Sequence, residues 1–264
     1  MKFFLLIFSV LVCFQANSQN LESNFADAET NLWLSSYNKF RIADKLYWAA
    51  ELHYRRIGDE QTPFVDRMAQ VYNRHGLNYV FSPNFNVTVG GVLRINFSPQ
   101  PKNPEFEPIT IEPRIWHQYM FVSPWSRFIV YNRIRIEHRW NRSNRLNAEY
   151  TFRNRWRYML YMKIPLNKKQ MVPGAFYFSP SAELIMQTGK IVKGSFVEDL
   201  RLYGSFGYVG SPRITYSLGL MYTTGQDTQN PLLYDRRWII RSSVYVSLDF
   251  RKESKKIPSV RVLD

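Results

Sequence analysis

Hydrophobic and polar residues alternate along most of this chain with a period of two. Within 85–97 one face reads Phe85, Val87, Val89, Gly91, Leu93, Ile95 and Phe97, and the other Asn86, Thr88, Gly90, Val92, Arg94 and Asn96. Residues 214–223 set Ile214, Tyr216, Leu218, Leu220 and Tyr222 against Thr215, Ser217, Gly219, Met221 and Thr223. Residues 238–250 repeat the pattern, with Trp238, Ile240, Val244, Val246, Leu248 and Phe250 on one side, interrupted only by Ser242, and Arg241, Ser243, Ser247 and Asp249 on the other, together with Ile239 and Tyr245. Successive side chains of a strand point to opposite faces, so this pattern predicts strands with one apolar face. Looser alternation predicts further strands at 31–41, 44–57, 66–82, 109–122, 126–140, 149–164, 174–187 and 197–208. No segment sustains a helical period.

Strand length and connection length narrow the fold class. Ordinary globular strands average about 5–6 residues, whereas a strand crossing a membrane at its usual tilt needs ~9–11. Most of the segments here reach the longer class. Short connections lie near 42–44, 82–84, 123–125 and 210–212; longer polar ones cover 58–65, 98–108, 141–148, 188–196 and 224–235, with 165–173 between the two kinds. Short turns at one end and long loops at the other are the habit of outer-membrane barrels. The expected fold is therefore all-β, an antiparallel transmembrane barrel filling 19–250. The segments number eleven, and bacterial single-chain barrels have an even number of strands. A cryptic strand within 20–30, around Leu21 and Phe25, would make twelve, the count favoured here; ten is the alternative.

In such a barrel the apolar face meets lipid, and aromatics near strand ends (Trp48, Tyr79, Phe81, Phe97, Tyr119, Phe121, Trp125, Trp140) form interfacial girdles. The opposite face carries charge in rows: Arg133, Arg135, Glu137 and Arg139, then Glu149, Arg153, Arg155 and Arg157. Glu51, Arg55, Arg94, Glu112, Arg114, Glu183, Arg201, Arg241 and Asp249 join them. An Arg facing lipid at mid-depth costs ~2–4 kcal/mol, so these side chains are expected to line the lumen as an Arg–Glu network. That network either braces a filled interior or lines a narrow, anion-favouring passage, because rings of Arg attract anions.

The N-terminus bears on location. Met1-Lys2, an apolar run from Phe3 to Phe14, and the small-residue end Ala16-Asn17-Ser18 have the form of a secretory signal peptide, expected to span 1–18 with cleavage after Ser18. Cys13 lies inside the run and follows Val12 rather than a small residue, so no lipidation is expected. It is the single cysteine of the chain. A mature protein without thiols suits an oxidising compartment. Residues 251–264 form a charged tail.

Composition adds a cationic bias. The chain has 264 residues, 35 Lys+Arg against 21 Asp+Glu, a net charge of +14 and 16% aromatics. This composition excludes a disordered chain, which would be poor in aromatics. Excess charge with many aromatics also suits nucleic-acid binding. An export signal and strict alternation of Arg with apolar residues argue against it, and no nucleic-acid partner is expected. Contact of Arg142, Arg145, Lys190 and Lys193 with anionic lipopolysaccharide accounts better for the charge, although charges simply solvated in the loops are the first expectation there. His53, His75, His117 and His138 lack zinc spacing, there is no phosphate loop, and no metal or cofactor is expected. A lipid-modifying enzyme would need a triad at the outer rim, for which His138, Ser143 and Asn154 are the candidates. A secreted β-sandwich that binds a ligand is the soluble alternative.

Trp33, Asp44-Lys45, Trp48, Glu51, Arg74, Gly76, Leu77, Tyr79 and Trp116-His117-Gln118-Tyr119 stand in an ordered series. Arg133, Glu137, Arg139, Arg153, Arg155, Arg157-Tyr158, Glu183, Arg201, Gly204, Gly207 and Tyr208 continue it. In this series, across roughly 31–250, the chain resembles the outer-membrane barrel family known as domain of unknown function 2490. The resemblance implies an outer-membrane location; for a Gram-negative barrel, outer-membrane lipid, lipopolysaccharide and the barrel insertion machinery are the expected partners. It implies no activity and no catalytic residue. Barrels of this kind usually end at an aromatic residue of the last strand, read by the insertion machinery; here 251–264 follow Phe250.

Overall fold

The computed structural model describes residues 24–190, 192, 195–226, 230 and 232–251. The expected signal peptide, Leu21, Lys193 and the tail beyond Arg251 lie outside the described residues. The described chain is all-β: β1 (Asn24–Arg41), β2 (Leu46–Ile57), β3 (Arg67–Ser82), β4 (Phe85–Phe97), β5 (Ile109–Pro124), β6 (Ile129–Asn141), β7 (Thr151–Pro165), β8 (Phe176–Thr188), β9 (Val197–Val209), β10 (Ile214–Gln226) and β11 (Leu233–Asp249). Each strand pairs with its sequence neighbour and β1 pairs with β11, so the sheet closes into a barrel. Closure gives every ladder a partner and leaves no exposed sheet edge.

All neighbouring pairs are antiparallel except β1–β11, which is parallel from Asn24↔Leu233 to Arg41↔Asp249. The twelve strands favoured from the sequence become eleven among the described residues. Phe25 does not belong to a strand of its own: residues 24–30 prolong β1, because β11 starts at Leu233 and supplies them with a partner. An odd number of strands meets in parallel at its seam, and that resolves the parity.

The connections 42–45, 83–84, 125–128 and 210–213 gather at one end, together with the longer 166–175; 58–66, 98–108, 142–150 and the segments after β8 and β10 gather at the other. Outward aromatics ring the short-turn end. Phe40 lies 5.1 Å from both Trp48 and Phe250, and Phe85 lies 5.6 Å from Phe81 and 4.9 Å from Phe121. Phe176 and Phe178 meet Tyr208 and Phe206 at 4.8 and 5.2 Å. A sparser set at the opposite end includes Trp140–Phe152 and Tyr222–Trp238. Exposed aliphatics occupy the belt between, among them Leu52, Leu77, Val89, Leu93, Ile115, Leu202, Leu218 and Leu220.

The interior is filled by the other face of each strand. Trp116 packs there with Tyr72 and Val92. Its ring fits because the facing position is Gly76, where a Cβ would stand 3.0 Å from the indole. Gly90, paired with Gly76, is tighter still: a Cβ would lie 2.0 Å from the His75 carbonyl oxygen and 2.6 Å from the Gly76 Cα. Its neighbour Gly91 has nothing nearer than the Arg114 carbonyl oxygen at 3.8 Å. Gly90→Ala should therefore push the β3 backbone away and cost about 1–3 kcal/mol, the usual penalty of overpacking. Gly91→Ala should be close to neutral. The heat needed to abolish the folded, fast-migrating gel band measures both.

Candidate functional site

Strand register sets the interior charges side by side. Arg114 stands opposite Arg139, and Arg139 opposite Arg153; Arg135 stands opposite Arg157, and Glu137 opposite Arg155. Like charges directly opposite one another repel, so the arrangement holds only where carboxylates bridge the rows. Glu137 is fully buried and receives Arg114 at 2.9 Å, Arg157 at 3.0 Å and Arg74 at 3.3 Å. Glu112 takes Arg114 and Arg139 at 2.7 Å and Arg94 at 3.0 Å. Glu183 takes Arg133 at 2.6 Å and Arg157 at 2.8 Å, with Arg201 at 3.7 Å. Glu51 takes Arg74 at 2.7 Å and His53 at 3.0 Å, with Arg135 at 3.8 Å. Burying charge is tolerable only when it is paired and hydrogen-bonded, and this mesh meets that condition from strands on different sides of the barrel.

The bridging is incomplete in charge. Arg55, Arg74, Arg94, Arg114, Arg133, Arg135, Arg139, Arg153, Arg155, Arg157, Arg201 and Arg241 share the interior with six carboxylates: Glu51, Glu112, Glu137, Glu183, Glu198 and Asp199. Several guanidinium groups rely on neutral partners instead. Arg55 donates to Gln70 and Tyr72 and stacks 3.6 Å above the Trp33 ring. Arg135 donates twice to Gln118, Arg153 to Gln187, and Arg241 to the Tyr37 hydroxyl. Contacts of this cation–π kind gain strength when desolvated.

The residues expected at the lumen fall into three groups. Glu51, Arg55, Arg94, Glu112, Arg114, Arg133, Arg135, Glu137, Arg139, Arg153, Arg155, Arg157, Glu183, Arg201 and Arg241 sit in the barrel interior. Asp249 lies on the same face but at the short-turn rim, bound to Arg251, which also holds Asp44 at 2.6 Å. Glu149 does not belong to the set. It is exposed in 142–150, because β7 begins only at Thr151 and the chain turns through the left-handed Asn147 (φ 59°) just before it.

The structure adds Arg74, Glu198 and Asp199. Glu198 is the extra residue of a bulge: Met186 pairs with Val197 and Ile185 with Asp199. A bulge puts two consecutive residues toward one face. Glu198 thus reaches Arg155 and Arg139 while Asp199 holds Arg201 at 2.6 Å. A similar shift at Ala69, between Arg55↔Gln70 and Arg56↔Met68, blurs the alternation of β3 and hides Arg74. A carboxylate on an otherwise aliphatic face was the available signal for Glu198.

Two cavities occupy the axis. One of about 180 Å³, toward the short turns, touches Asn86, Thr88, Tyr177 and Tyr245. One of about 90 Å³, bounded by the Arg–Glu layer, touches Trp33, His53, Arg114, Arg157 and Glu183. They share Tyr37, Arg133, Arg135, Met159, Ser181, Tyr203 and Arg241 as a common wall. His53 joins Ser35, 2.9 Å from Nδ1, to Glu51, 3.0 Å from Nε2. On the outer surface His138 Nδ1 meets Asn154 Oδ1 at 2.6 Å, while Ser143 lies in the 142–150 connection. Among the described residues no group of three His, Cys, Asp or Glu could hold a metal ion.

Residues 30–233 match the family described as Protein of unknown function (DUF2490). The chain belongs to this family. This DUF2490 barrel is also similar to a solved structure described as NanC porin in a rhombohedral crystal form, at 12% identity and a TM-score of 0.46, over 80% of this chain and 98% of that one. No curated protein matches the DUF2490 chain.

At the long-loop end, Arg142 grips Glu107 with both nitrogens at 2.5 Å, and Phe106 bridges to Arg145, so 98–108 and 142–150 are zipped together. Of the cations expected to meet lipopolysaccharide, Arg142 is therefore engaged, while Arg145 and Lys190 are exposed. Hydrogen bonds from Arg142 hold the Glu107 carboxyl below its ordinary value of 4.5. A lowered carboxylate stabilises fully above that ordinary value and loses its contribution as pH falls through the lower, folded one. Amide hydrogen-exchange protection in 98–108, corrected for the intrinsic pH dependence of exchange, should accordingly fall on acidification below pH 4.5 and hold steady between pH 6 and 8. In the interior, Glu137→Gln removes the carboxylate shared by Arg74, Arg114 and Arg157, leaving each with its second one (Glu51, Glu112 and Glu183), and should cost about 3–5 kcal/mol, lowering the temperature at which the folded gel band disappears.

Proposed function

We propose that this chain is an outer-membrane barrel whose interior forms a narrow, anion-leaning passage. The observation that carries the reading is the sorting of side chains by face. Guanidinium groups look inward, and an aliphatic belt between two aromatic sets looks outward. Hydrocarbon solvates the belt, while the inward Arg avoid ~2–4 kcal/mol each at mid-depth. Export by a cleaved signal at 1–18, contact with lipid and lipopolysaccharide, and delivery by the barrel insertion machinery belong to the same reading. Selectivity follows from the excess of Arg over carboxylates in the interior, since a positive lining draws anions. The Arg–Glu layer narrows the axis, so the passage suits single small solutes.

A lipid-hydrolysing site on the outer surface has weaker support. His138 and Asn154 are in place, but the next residue on their face toward the rim is Trp140, which cannot serve as a nucleophile. The Ser35–His53–Glu51 chain has suitable distances, yet Glu51 is already committed to Arg74.

Reconstituted in a planar bilayer under a KCl gradient, the protein should give small conductance steps whose reversal potential has the sign of chloride preference. The pair Arg55→Glu and Arg201→Glu should shift the permeability ratio severalfold toward potassium. A silent or cation-selective protein overturns the passage. Release of the protein from membranes by a salt or carbonate wash, without detergent, overturns the membrane assignment.

A further inference from the structure

We propose that the chamber nearer the short turns is a binding site for a small organic anion that carries a carboxylate or phosphate on a compact ring-like body. Its wall holds five cations, Lys39, Arg133, Arg135, Lys163 and Arg241, against one carboxylate, Glu51. Glu51 is already neutralised by Arg74 at 2.7 Å. Arg135 and Arg241 in this wall accordingly hydrogen-bond to the neutral Gln118 and Tyr37.

The donors are also positioned but not used up. Arg135, 4% exposed, gives Nε and Nη2 to Gln118. Arg133 gives Nη2 to Glu183, and Arg241 gives Nη2 to Tyr37. None of the three donates from Nη1 to a partner among the described residues. The hydroxyls of Tyr203 and Ser217, in the same wall, are buried without a hydrogen-bond partner. Buried polar groups are normally satisfied, and several unsatisfied donors around one cavity describe the complement of an anion. A stacked pair, Tyr37 and Tyr245 at 5.0 Å, offers a flat apolar surface beside the cations. That surface favours an organic body over a bare inorganic ion.

This inference deepens the anion-leaning reading, but binding is an equilibrium property that needs no passage through the barrel. The test is calorimetric titration of the full chain in detergent micelles with benzoate and with its neutral counterpart benzamide. Benzoate should bind saturably, one per barrel, and benzamide should not. Arg241→Gln and Arg133→Gln should each weaken benzoate binding at least tenfold. Arg153→Gln, whose guanidinium is held by Gln187 away from this chamber, should leave it within twofold. Retention of the heat-modifiable gel band establishes that each variant is folded. Absence of saturable binding, equal binding of benzamide, or an equal loss in Arg153→Gln overturns the site. A silent bilayer with benzoate binding intact removes the passage and leaves the site; anion-selective conductance without binding removes the site alone.

Discussion

Six interior carboxylates bridge most of twelve guanidinium groups inside a closed sheet, and the rest of the structure depends on that attachment. A narrow barrel must fill its axis with side chains. Here the filling is ionic rather than aliphatic, so each bridging carboxylate carries more than a pairwise contact. Glu137 ties β3, β5 and β7 to β6 through one side chain. Such a hub fixes the cross-section of the cylinder, because guanidinium forks reach a carboxylate only over a short range of distances.

The ionic layer also divides the axis. On its long-loop side, carboxylates bridge the guanidinium rows from strand to strand. On its short-turn side, polar neutral residues and tyrosines take over, with cations among them. The same alternation of side chains thus produces a brace in one stretch and a chamber in the next. The difference lies in where the glutamates fall: Glu51, Glu112, Glu137, Glu183 and Glu198 cluster around the middle and long-loop half, and the strand halves beyond them carry Ser, Thr, Asn and Tyr.

Much of this was legible in the sequence, because a half-lipophilic strand has few ways to be written. The strand at 85–97 was read with its bounds intact, since neither of its ladders shifts register between Gln70 and Val80 or across β5. The Arg133–Arg139 row was visible for the same reason. Glu198 was not, because a bulge breaks the parity on which face assignment rests. Glu149 was misplaced because parity alone cannot say where a strand begins; a left-handed Asn147 and the bridge between Phe106 and Arg145 decide that, and both are long-range or conformational facts. The strand count differed because the first and last strands find each other across the whole chain, a pairing that leaves no local trace.

That pairing governs how the cylinder comes into being. Trp33 and Arg241 are neighbours across the β1–β11 ladder although more than two hundred positions separate them in sequence. Contacts of such long separation must overcome the largest loop-closure entropy, and parallel ladders return slightly less per residue than antiparallel ones. The nine intervening strands can zip hairpin by hairpin. The join between first and last therefore sets the pace of maturation, and it is the line along which a newly made sheet stays open longest.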